Sequence, residues 1–370
     1  MNEQRVFVTS VVRTPLGAPG KGLDRFMSSD LAAKAILRLL EKNALDPLAV
    51  DQVVLGQSLP STMPNNIGHF AWLKAELPVD VPGYTVQSNA DSGLQALRNA
   101  YNLVASGNEQ IVLAGGADSY SAAPFVMRDV RLHFYPQDRI VIDSLDEAEC
   151  CTQPEPMSRK ERYEAVYGAQ ETPEEKAFRE KSREKAAAFR EKSVGAVVPL
   201  SYTDRKKGEI VLTEDEWLSS GSEEILSPQA DAAAAALVMS EEALKKAGLS
   251  PIAEILGIAA CGGGPKDPNE AGLAAAEKLL AEKALSVKEI AAFEIRENSA
   301  AEVLRLAEAL GADPEKTDSF GGALAFGDGG GAEAFLMLMR LMSALKSGEK
   351  GLLVLPSPGG MGMAALVEKC

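Results

Sequence analysis

The sequence has 370 residues, of which 46% are hydrophobic, and its formal net charge is −15 at pH 7. A chain of this length and composition can bury a large core, which excludes extensive disorder and allows two domains or one duplicated domain. The acidity argues against nucleic acid or an anionic membrane as the main partner, and no apolar run is long enough to span a membrane.

Strands alternate with helices in the first third of the chain. Continuous apolar runs predict strands, and apolar residues at helical spacing predict helices, in this order: a strand at 6–12, a helix at 30–41, a strand at 50–56, a helix at 65–77, a helix from 94 and a strand at 110–116. Apolar strands in this alternation are typical of a mostly parallel sheet that helices cover on both faces.

This alternation stops between residues 119 and 226. Proline residues are scattered through the segment, and the charged stretch 173–192 predicts a helix that faces solvent and packs through a narrow stripe. We interpret the segment as an inserted subdomain. Residues 230–240 then restore a buried strand, and another helix begins at Glu241.

The remainder of the chain repeats the first part. Leu39-Leu-Glu-Lys-Asn-Ala-Leu-Asp precedes one predicted strand, and Leu279-Leu-Ala-Glu-Lys-Ala-Leu-Ser precedes another at 290–295. Two α/β units in the same order, about 240 residues apart, indicate an internal duplication. We expect the two sheets to pack through shared central helices. The predicted domains are an N-terminal half at 1–118 with 227–250, an inserted loop subdomain at 119–226 and a C-terminal half at 251–370.

The turn that ends at Leu94 is the part of the sequence with the clearest chemical meaning. Residues 84–86 predict a short strand, Ser88 or Asn89 can cap a helix, and apolar residues then recur at helical spacing. The start of a helix offers free N–H groups and a partial positive charge, which favour an anion such as a thiolate. A sharp strand-to-helix turn of this kind is where many enzymes hold a nucleophile.

The turn resembles the nucleophile turn of thiolases, which reads roughly T-V-N-x-x-C-G-S-G-L, through Thr85, Val86, Ser92, Gly93 and Leu94. Three further stretches resemble other thiolase motifs: Ala114-Gly-Gly with Ser119, Gly321-Gly-Ala-Leu-Ala-Phe-Gly, and Gly359-Gly-Met-Gly362. The resemblance covers nearly the whole chain. It implies an α/β, thiolase-like fold in which two duplicated α/β halves pack as a five-layered αβαβα sandwich with an inserted loop subdomain.

The same resemblance places the catalytic positions of a thiolase on residues that lack the expected chemistry. The nucleophilic cysteine corresponds to Ala90, the histidine that activates it to Asp328, and the second cysteine, which moves a proton, to Pro356. The asparagine that positions a water near the oxyanion corresponds to Arg296, and of its N-E-A-F motif only Glu297 remains. The resemblance therefore implies that conventional thiolase catalysis is absent.

Two interpretations of these replacements remain open. If Asp91, Glu297 and Asp328 converge on one pocket, their charges raise one another's pKa, and one of them can act as a general acid or base. Alternatively, Arg296 and Asp328 form a salt bridge that fills an abandoned site, and this is the interpretation that we favour.

The resemblance also implies coenzyme A or an acyl-CoA as the ligand. Met157 and Ser227 match positions that line the pantetheine channel of thiolases, and Gly359 with Gly360 belongs to the C-terminal glycine motif. Lys206 lies in a basic turn that resembles the one near the adenosine phosphates. An ordinary hairpin explains that basic turn nearly as well.

The cysteines bear on compartment and metal binding. The four of them, Cys150, Cys151, Cys261 and Cys370, form neither a disulfide framework nor a C-x-x-C metal pattern. The first residues lack the basic and apolar parts of a signal peptide. We therefore expect a cytoplasmic protein without a bound metal.

Three functions are compatible with the sequence. The leading prediction is a non-catalytic subunit or acyl-CoA-binding paralogue, which assembles with itself or with an active thiolase. The second is an acyltransferase or C–C bond lyase that uses altered, carboxylate-based chemistry on an acyl-CoA. The third is a structural assembly protein that does not bind coenzyme A. The fold alone does not decide among them.

Overall fold

The computed structural model describes residues 4–59, 65–127, 130, 140–145, 158–220, 222 and 224–370. Within these residues the helices are α1 (Ser28–Asn43), α2 (Ile67–Lys74), α3 (Ser92–Ala105), α4 (Arg159–Tyr167), α5 (Pro173–Ser193), α6 (Glu216–Ser220), α7 (Glu241–Ala247), α8 (Pro268–Glu282), α9 (Ala300–Leu310), α10 (Ala323–Phe326) and α11 (Glu333–Ala344). The strands are β1 (Val6–Arg13), β2 (Gln52–Gly56), β3 (Gly83–Val86), β4 (Ile111–Asp118), β5 (Phe125–Met127), β6 (Val141–Asp143), β7 (Leu200–Asp204), β8 (Gly208–Leu212), β9 (Ala232–Ser240), β10 (Ala253–Gly262), β11 (Ile290–Ile295), β12 (Lys350–Ser357) and β13 (Met361–Lys369).

Nine of the described strands form one sheet, in the order β11-β12-β13-β10-β1-β9-β4-β2-β3. In the first half, β2 is parallel to β3 and β4, and β9 is antiparallel to β4 and β1. In the second half, β11 is parallel to β12, and β13 is antiparallel to β12 and β10. Thr317 makes a parallel bridge with Phe293 of β11, where the first half has β3 beside β2. The repeated pairing order confirms the predicted duplication.

The prediction of a mostly parallel sheet is wrong, because each half contains antiparallel strand pairs. β12 ends at Ser357 and β13 begins at Met361, so a connection of only three residues joins them. A connection this short can join only antiparallel neighbours, whereas a parallel pair needs a crossover of a dozen or more residues. The apolar pattern indicated burial correctly, but it carries no information on strand direction.

The helices form three layers around the two halves of the sheet. Neighbouring residues of a strand face opposite sides, and Val54 and Leu353 both pack into one core with α3 and α11. Val53 packs into a second core with α1 and α2, and Leu352 packs into a third core with α8 and α9. The order of layers is therefore α, β, α, β, α, which confirms the predicted five-layered sandwich.

The inserted segment contributes α4, α5, α6 and two antiparallel strand pairs, β5 with β6 and β7 with β8, to the described residues. The charged helix α5 buries a narrow stripe that includes Ala186 and Phe189, as its pattern predicts. Cys150 and Cys151 lie outside the described residues. The exact domain boundaries stay a prediction. No described helix is both long enough and apolar enough to cross a membrane.

Close backbone contacts bring the two halves together at one end of the sheet. A Cβ atom added at Gly93 would lie 2.1 Å from the carbonyl oxygen of Gly331, and one added at Gly116 would lie 1.9 Å from the same oxygen. Glycine is therefore required at the start of α3 and in β4. The contact places the turn before α3 beside the loop that contains Asp328.

Candidate functional site

A pocket opens where the turn before α3 meets the loops of the second half. Its empty volume is about 620 Å³, part of which is open to solvent. The residues that line it come from both halves and from the inserted segment, and they are Ser58, Leu59, Asn89, Ala90, Tyr120, Leu145, Arg159, Arg162, Gln229, Arg296, Asn298, Asp328, Gly330 and Pro358.

The turn before α3 presents Ala90 to this pocket. Asn89 adopts a left-handed conformation with φ of +49°, which reverses the chain between β3 and α3. The backbone N–H of Ser88 donates to Ser92 Oγ at 2.8 Å, and that hydroxyl lies 3.0 Å from the carbonyl oxygen of Gln57. The turn is thus held in place, but the side chain that it presents is a methyl group.

Arg296 contacts two of the other three positions assigned to thiolase catalysis, Asp328 and Pro356. Arg296 and Asp328 form a buried ion pair, as we predicted, and Arg296 Nη1 also donates to the carbonyl oxygen of Pro356 at 3.3 Å. The backbone N–H of Gly330 donates to Asp328 Oδ1 at 2.9 Å. Burial alone would lower the pKa of Arg296, but the charge of Asp328 raises it above its ordinary value. Arg296 and Asp328 both line the pocket that Ala90 lines.

Asp91 lies beside Ala90 but does not line the pocket. Its side chain is fully buried, and neither carboxylate oxygen has a hydrogen-bond partner among the described residues. Burial raises the pKa of Asp91 to about 8, and the positive charge of Arg296 opposes that rise. The carboxyl group therefore holds its proton at neutral pH.

Glu297 faces away from the pocket. Its carboxylate accepts a hydrogen bond from the hydroxyl of Ser182 at 2.9 Å and from the backbone N–H of Leu324 at 3.0 Å. Its neighbour Arg296 lines the pocket, so only one of these two consecutive residues after β11 faces it. The three carboxylates of the less favoured interpretation do not converge, since only Asp328 of the three lines the pocket.

The predicted ligand residues have different surroundings. Ser227 is buried beneath the pocket, where its hydroxyl accepts a hydrogen bond from Arg159 Nη2 at 2.7 Å. Gly359 and Gly360 have φ of +91° and +81° and connect β12 to β13 next to Pro358, which lines the pocket.

The other two predicted ligand residues are Lys206 and Met157. Lys206 lies at the tip of the β7–β8 hairpin, where Asp204 Oδ1 accepts its backbone N–H at 2.8 Å. The ordinary hairpin is therefore present, and Lys206 does not line the pocket. Met157 lies outside the described residues.

Two arginines and a tyrosine also line the pocket, and the sequence did not predict them there. Arg159 and Arg162 are three residues apart on α4, a spacing that places both side chains on one face of a helix and that could have revealed them. Tyr120 is buried, and burial followed by the negative charges of Asp328 and Asp118 raises its pKa well above the ordinary value. No signal in the sequence indicated that Tyr120 reaches the pocket.

Family models of thiolase match both halves of the chain. A family model of the N-terminal domain of thiolase matches residues 6–242, and a model of the C-terminal domain matches residues 232–369. The chain belongs to the thiolase family. The predicted family and the predicted fold are both confirmed, because together the two models span nearly all of the sequence.

Relatives in the thiolase family match along their full length. The probable acetyl-CoA acyltransferase of Staphylococcus aureus (strain COL) is 30% identical, with 99% of each chain covered. The crystal structure of the Bacillus anthracis acetyl-CoA acetyltransferase superposes with a TM-score of 0.91 at 26% identity and covers 100% of both chains. The crystal structure of Acat5 thiolase from Ascaris suum in complex with coenzyme A superposes with a TM-score of 0.88 at 26% identity, covering 99% of this chain and 100% of that one.

Burial of Asp91 should make the stability of the fold depend on pH. Because the pKa of Asp91 rises from 3.8 to about 8 on folding, its contribution to stability is complete below about pH 4 and is lost as the pH rises through 8. Asp91→Asn removes that loss. We therefore expect the free energy of unfolding of Asp91→Asn, relative to that of the parent, to increase by roughly 1 kcal/mol for each pH unit between about pH 5 and 7. Urea unfolding at several pH values measures this difference.

The matched control is Asp204→Asn. Backbone N–H groups of Lys206 and Lys207 lower the pKa of Asp204, so this carboxylate stays ionised in both states over the same pH range. The difference between Asp204→Asn and the parent should therefore be constant with pH. A constant difference for Asp91→Asn as well would contradict the buried, protonated Asp91 described above.

Proposed function

We propose that this member of the thiolase family binds an acyl-CoA in the pocket and does not catalyse the thiolase reaction. One observation carries the proposal. Arg296, at the position where the resemblance to thiolases places the asparagine, contacts both Asp328 and Pro356, at the positions of the histidine and the second cysteine. The methyl group of Ala90 lines the same pocket at the position of the nucleophile.

The chemistry of these groups supports the absence of catalysis. A methyl group cannot form an acyl-enzyme intermediate, and the carboxylate at the position of the activating histidine is held in an ion pair with a buried guanidinium. Pro356 offers its carbonyl oxygen to Arg296 and has no proton to transfer. Loss of a nucleophile or of its base typically lowers turnover by several orders of magnitude.

Retention of the pocket supports binding of a thioester of coenzyme A. Three features that match thiolase motifs are present around the pocket: the strand-to-helix turn, the glycines at 359–360 and the buried Ser227. A thiolase structure that superposes on the full length of this chain contains coenzyme A. A structural assembly protein without a ligand would have no need of a pocket that is open to solvent at this turn.

Asp91 favours the alternative of altered, carboxylate-based chemistry on an acyl-CoA. A carboxyl group with a pKa of about 8 can act as a general acid or base at neutral pH. Asp91 does not line the pocket, however, so it lacks direct access to a ligand there. We therefore place the binding function first.

Calorimetry and a thiolysis assay test the binding function. The parent protein should bind coenzyme A and acetyl-CoA and should not cleave acetoacetyl-CoA. Ala90→Phe should abolish binding, because the ring would occupy the pocket that Ala90 lines. Ala188→Phe, an exposed position on α5, is the matched control and should bind like the parent. Turnover at ordinary thiolase rates, or no heat of binding with the folded parent, would refute the proposal.

We also propose that the protein assembles with itself or with an active thiolase through the edge strand β3. This strand ends the sheet, so its outer backbone groups can pair with a second chain. Phe70 of α2, the helix that packs against β3, remains exposed. An exposed ring beside the edge strand of a sheet is a suitable contact for a partner.

Sedimentation tests this assembly. The parent should sediment as a dimer or a larger assembly at micromolar concentration, and Phe70→Glu should shift it toward monomer because the charge would be buried at the interface. Leu48→Glu introduces the same charge at another exposed site and should change nothing. A homogeneous parent monomer that also captures no thiolase from its native cell would show that the assembly does not form.

A further inference from the structure

Tyr120 reaches the pocket just after the end of β4 and lines its wall. The hydroxyl of Ser119 donates to the carbonyl oxygen of Phe26 at 2.9 Å. The backbone N–H of Ser121 donates to Asp231 Oδ1 at 3.0 Å. The chain is therefore fixed on both sides of Tyr120, and its buried ring has a defined place in the pocket wall.

The hydroxyl of Tyr120 is available to a ligand, unlike several polar groups around it. Arg296 forms an ion pair with Asp328, and Arg159 Nε donates to Asn298 Oδ1 at 2.8 Å. In the part of the chain that the structure describes, no group accepts a hydrogen bond from Tyr120 Oη. The hydroxyl can therefore donate to a ligand without first breaking a hydrogen bond within the protein.

The surroundings of Tyr120 keep its hydroxyl protonated. Burial and then the negative charges of Asp328 and Asp118 raise the pKa of Tyr120 well above its ordinary value, although the positive charges of Arg296 and Arg159 oppose this rise. The hydroxyl is therefore a neutral donor at physiological pH. Such a donor suits the carbonyl oxygen of an intact thioester, because that oxygen is an uncharged acceptor.

We propose that Tyr120 Oη donates a hydrogen bond to the carbonyl oxygen of the thioester, so that the pocket prefers an acyl-CoA to a coenzyme A derivative without this carbonyl. The inference rests on the proposed function, since it takes the ligand to be an acyl-CoA. Ala90, at the position that receives the acyl group, lines the same pocket as Tyr120. A weakly acidic donor binds the carbonyl oxygen and keeps its own proton, which agrees with binding without turnover.

Calorimetry with acetyl-CoA and S-ethyl-coenzyme A tests the preference. The two ligands share the coenzyme A part and a two-carbon group on sulfur, and they differ in the carbonyl oxygen. We expect the parent protein to bind acetyl-CoA about fivefold more tightly, which is the effect of one hydrogen bond between neutral groups. Tyr120→Phe keeps the ring, and it should remove this preference and leave the affinity for S-ethyl-coenzyme A nearly unchanged.

Infrared spectroscopy of acetyl-CoA that carries an isotope label at the thioester carbonyl tests the contact itself. A hydrogen bond to the carbonyl oxygen weakens the C=O bond and lowers its stretching frequency. The frequency should therefore be lower in the complex with the parent than in the complex with Tyr120→Phe. If Tyr120 only shaped the pocket, the two frequencies would be equal, and that result would overturn the inference.

The matched control is Tyr202→Phe, which removes a hydroxyl from β7 at a position that does not line the pocket, and it should keep the full preference. Equal affinity of the parent for the two ligands would overturn the inference and leave the binding of coenzyme A derivatives intact. If neither ligand binds the folded parent, the proposed function fails and the inference fails with it.

Discussion

The carbonyl oxygen of Gly331 packs directly against the backbone at Gly93 and Gly116, and the pocket depends on this close approach of the two halves. Asp118 reinforces the approach, because its buried carboxylate accepts backbone N–H groups of Ser58 at 2.8 Å and of Gly331 at 2.7 Å. Burial raises the pKa of Asp118 to about 7, although these hydrogen bonds lower it. A loop of each half is thereby fixed to the other, and their side chains meet in one pocket.

Within this framework, the ion pair of Arg296 and Asp328 explains why arginine and aspartate occur together at two of the positions assigned to thiolase catalysis. A lone buried charge is costly, and removal of one partner of a buried pair typically costs about 3–5 kcal/mol. Arginine at position 296 is therefore compatible with the site only if an acid such as Asp328 accompanies it. The pair leaves the methyl group of Ala90 facing a pocket in which Arg296 and Asp328 already satisfy each other. This arrangement is suited to holding a ligand and unsuited to proton transfer.

The sequence predicted those features that local patterns carry. The strand-to-helix turn at Ala90, the duplication and the ion pair all follow from motif letters whose spacing the fold preserves. The sequence did not reveal the direction of Glu297, because its motif indicates the position of the chain but not the side to which each residue points. Arg159 and Arg162 were missed for another reason. They lie on an inserted helix, whose placement depends on contacts with residues that are distant in the sequence.

The alkylation rate of a cysteine at position 90 tests most directly whether Arg296 and Asp328 face that position. In Ala90→Cys, with the four native cysteines replaced by serine, the thiol would sense both partners of the ion pair. Adding Asp328→Asn should leave the positive charge of Arg296, lower the pKa of the thiol and speed its reaction with iodoacetamide near neutral pH. Adding Arg296→Gln should leave the negative charge of Asp328, raise the pKa of the thiol and slow the reaction. The same pH dependence in all three folded proteins would contradict the account, because the ion pair would then not face residue 90.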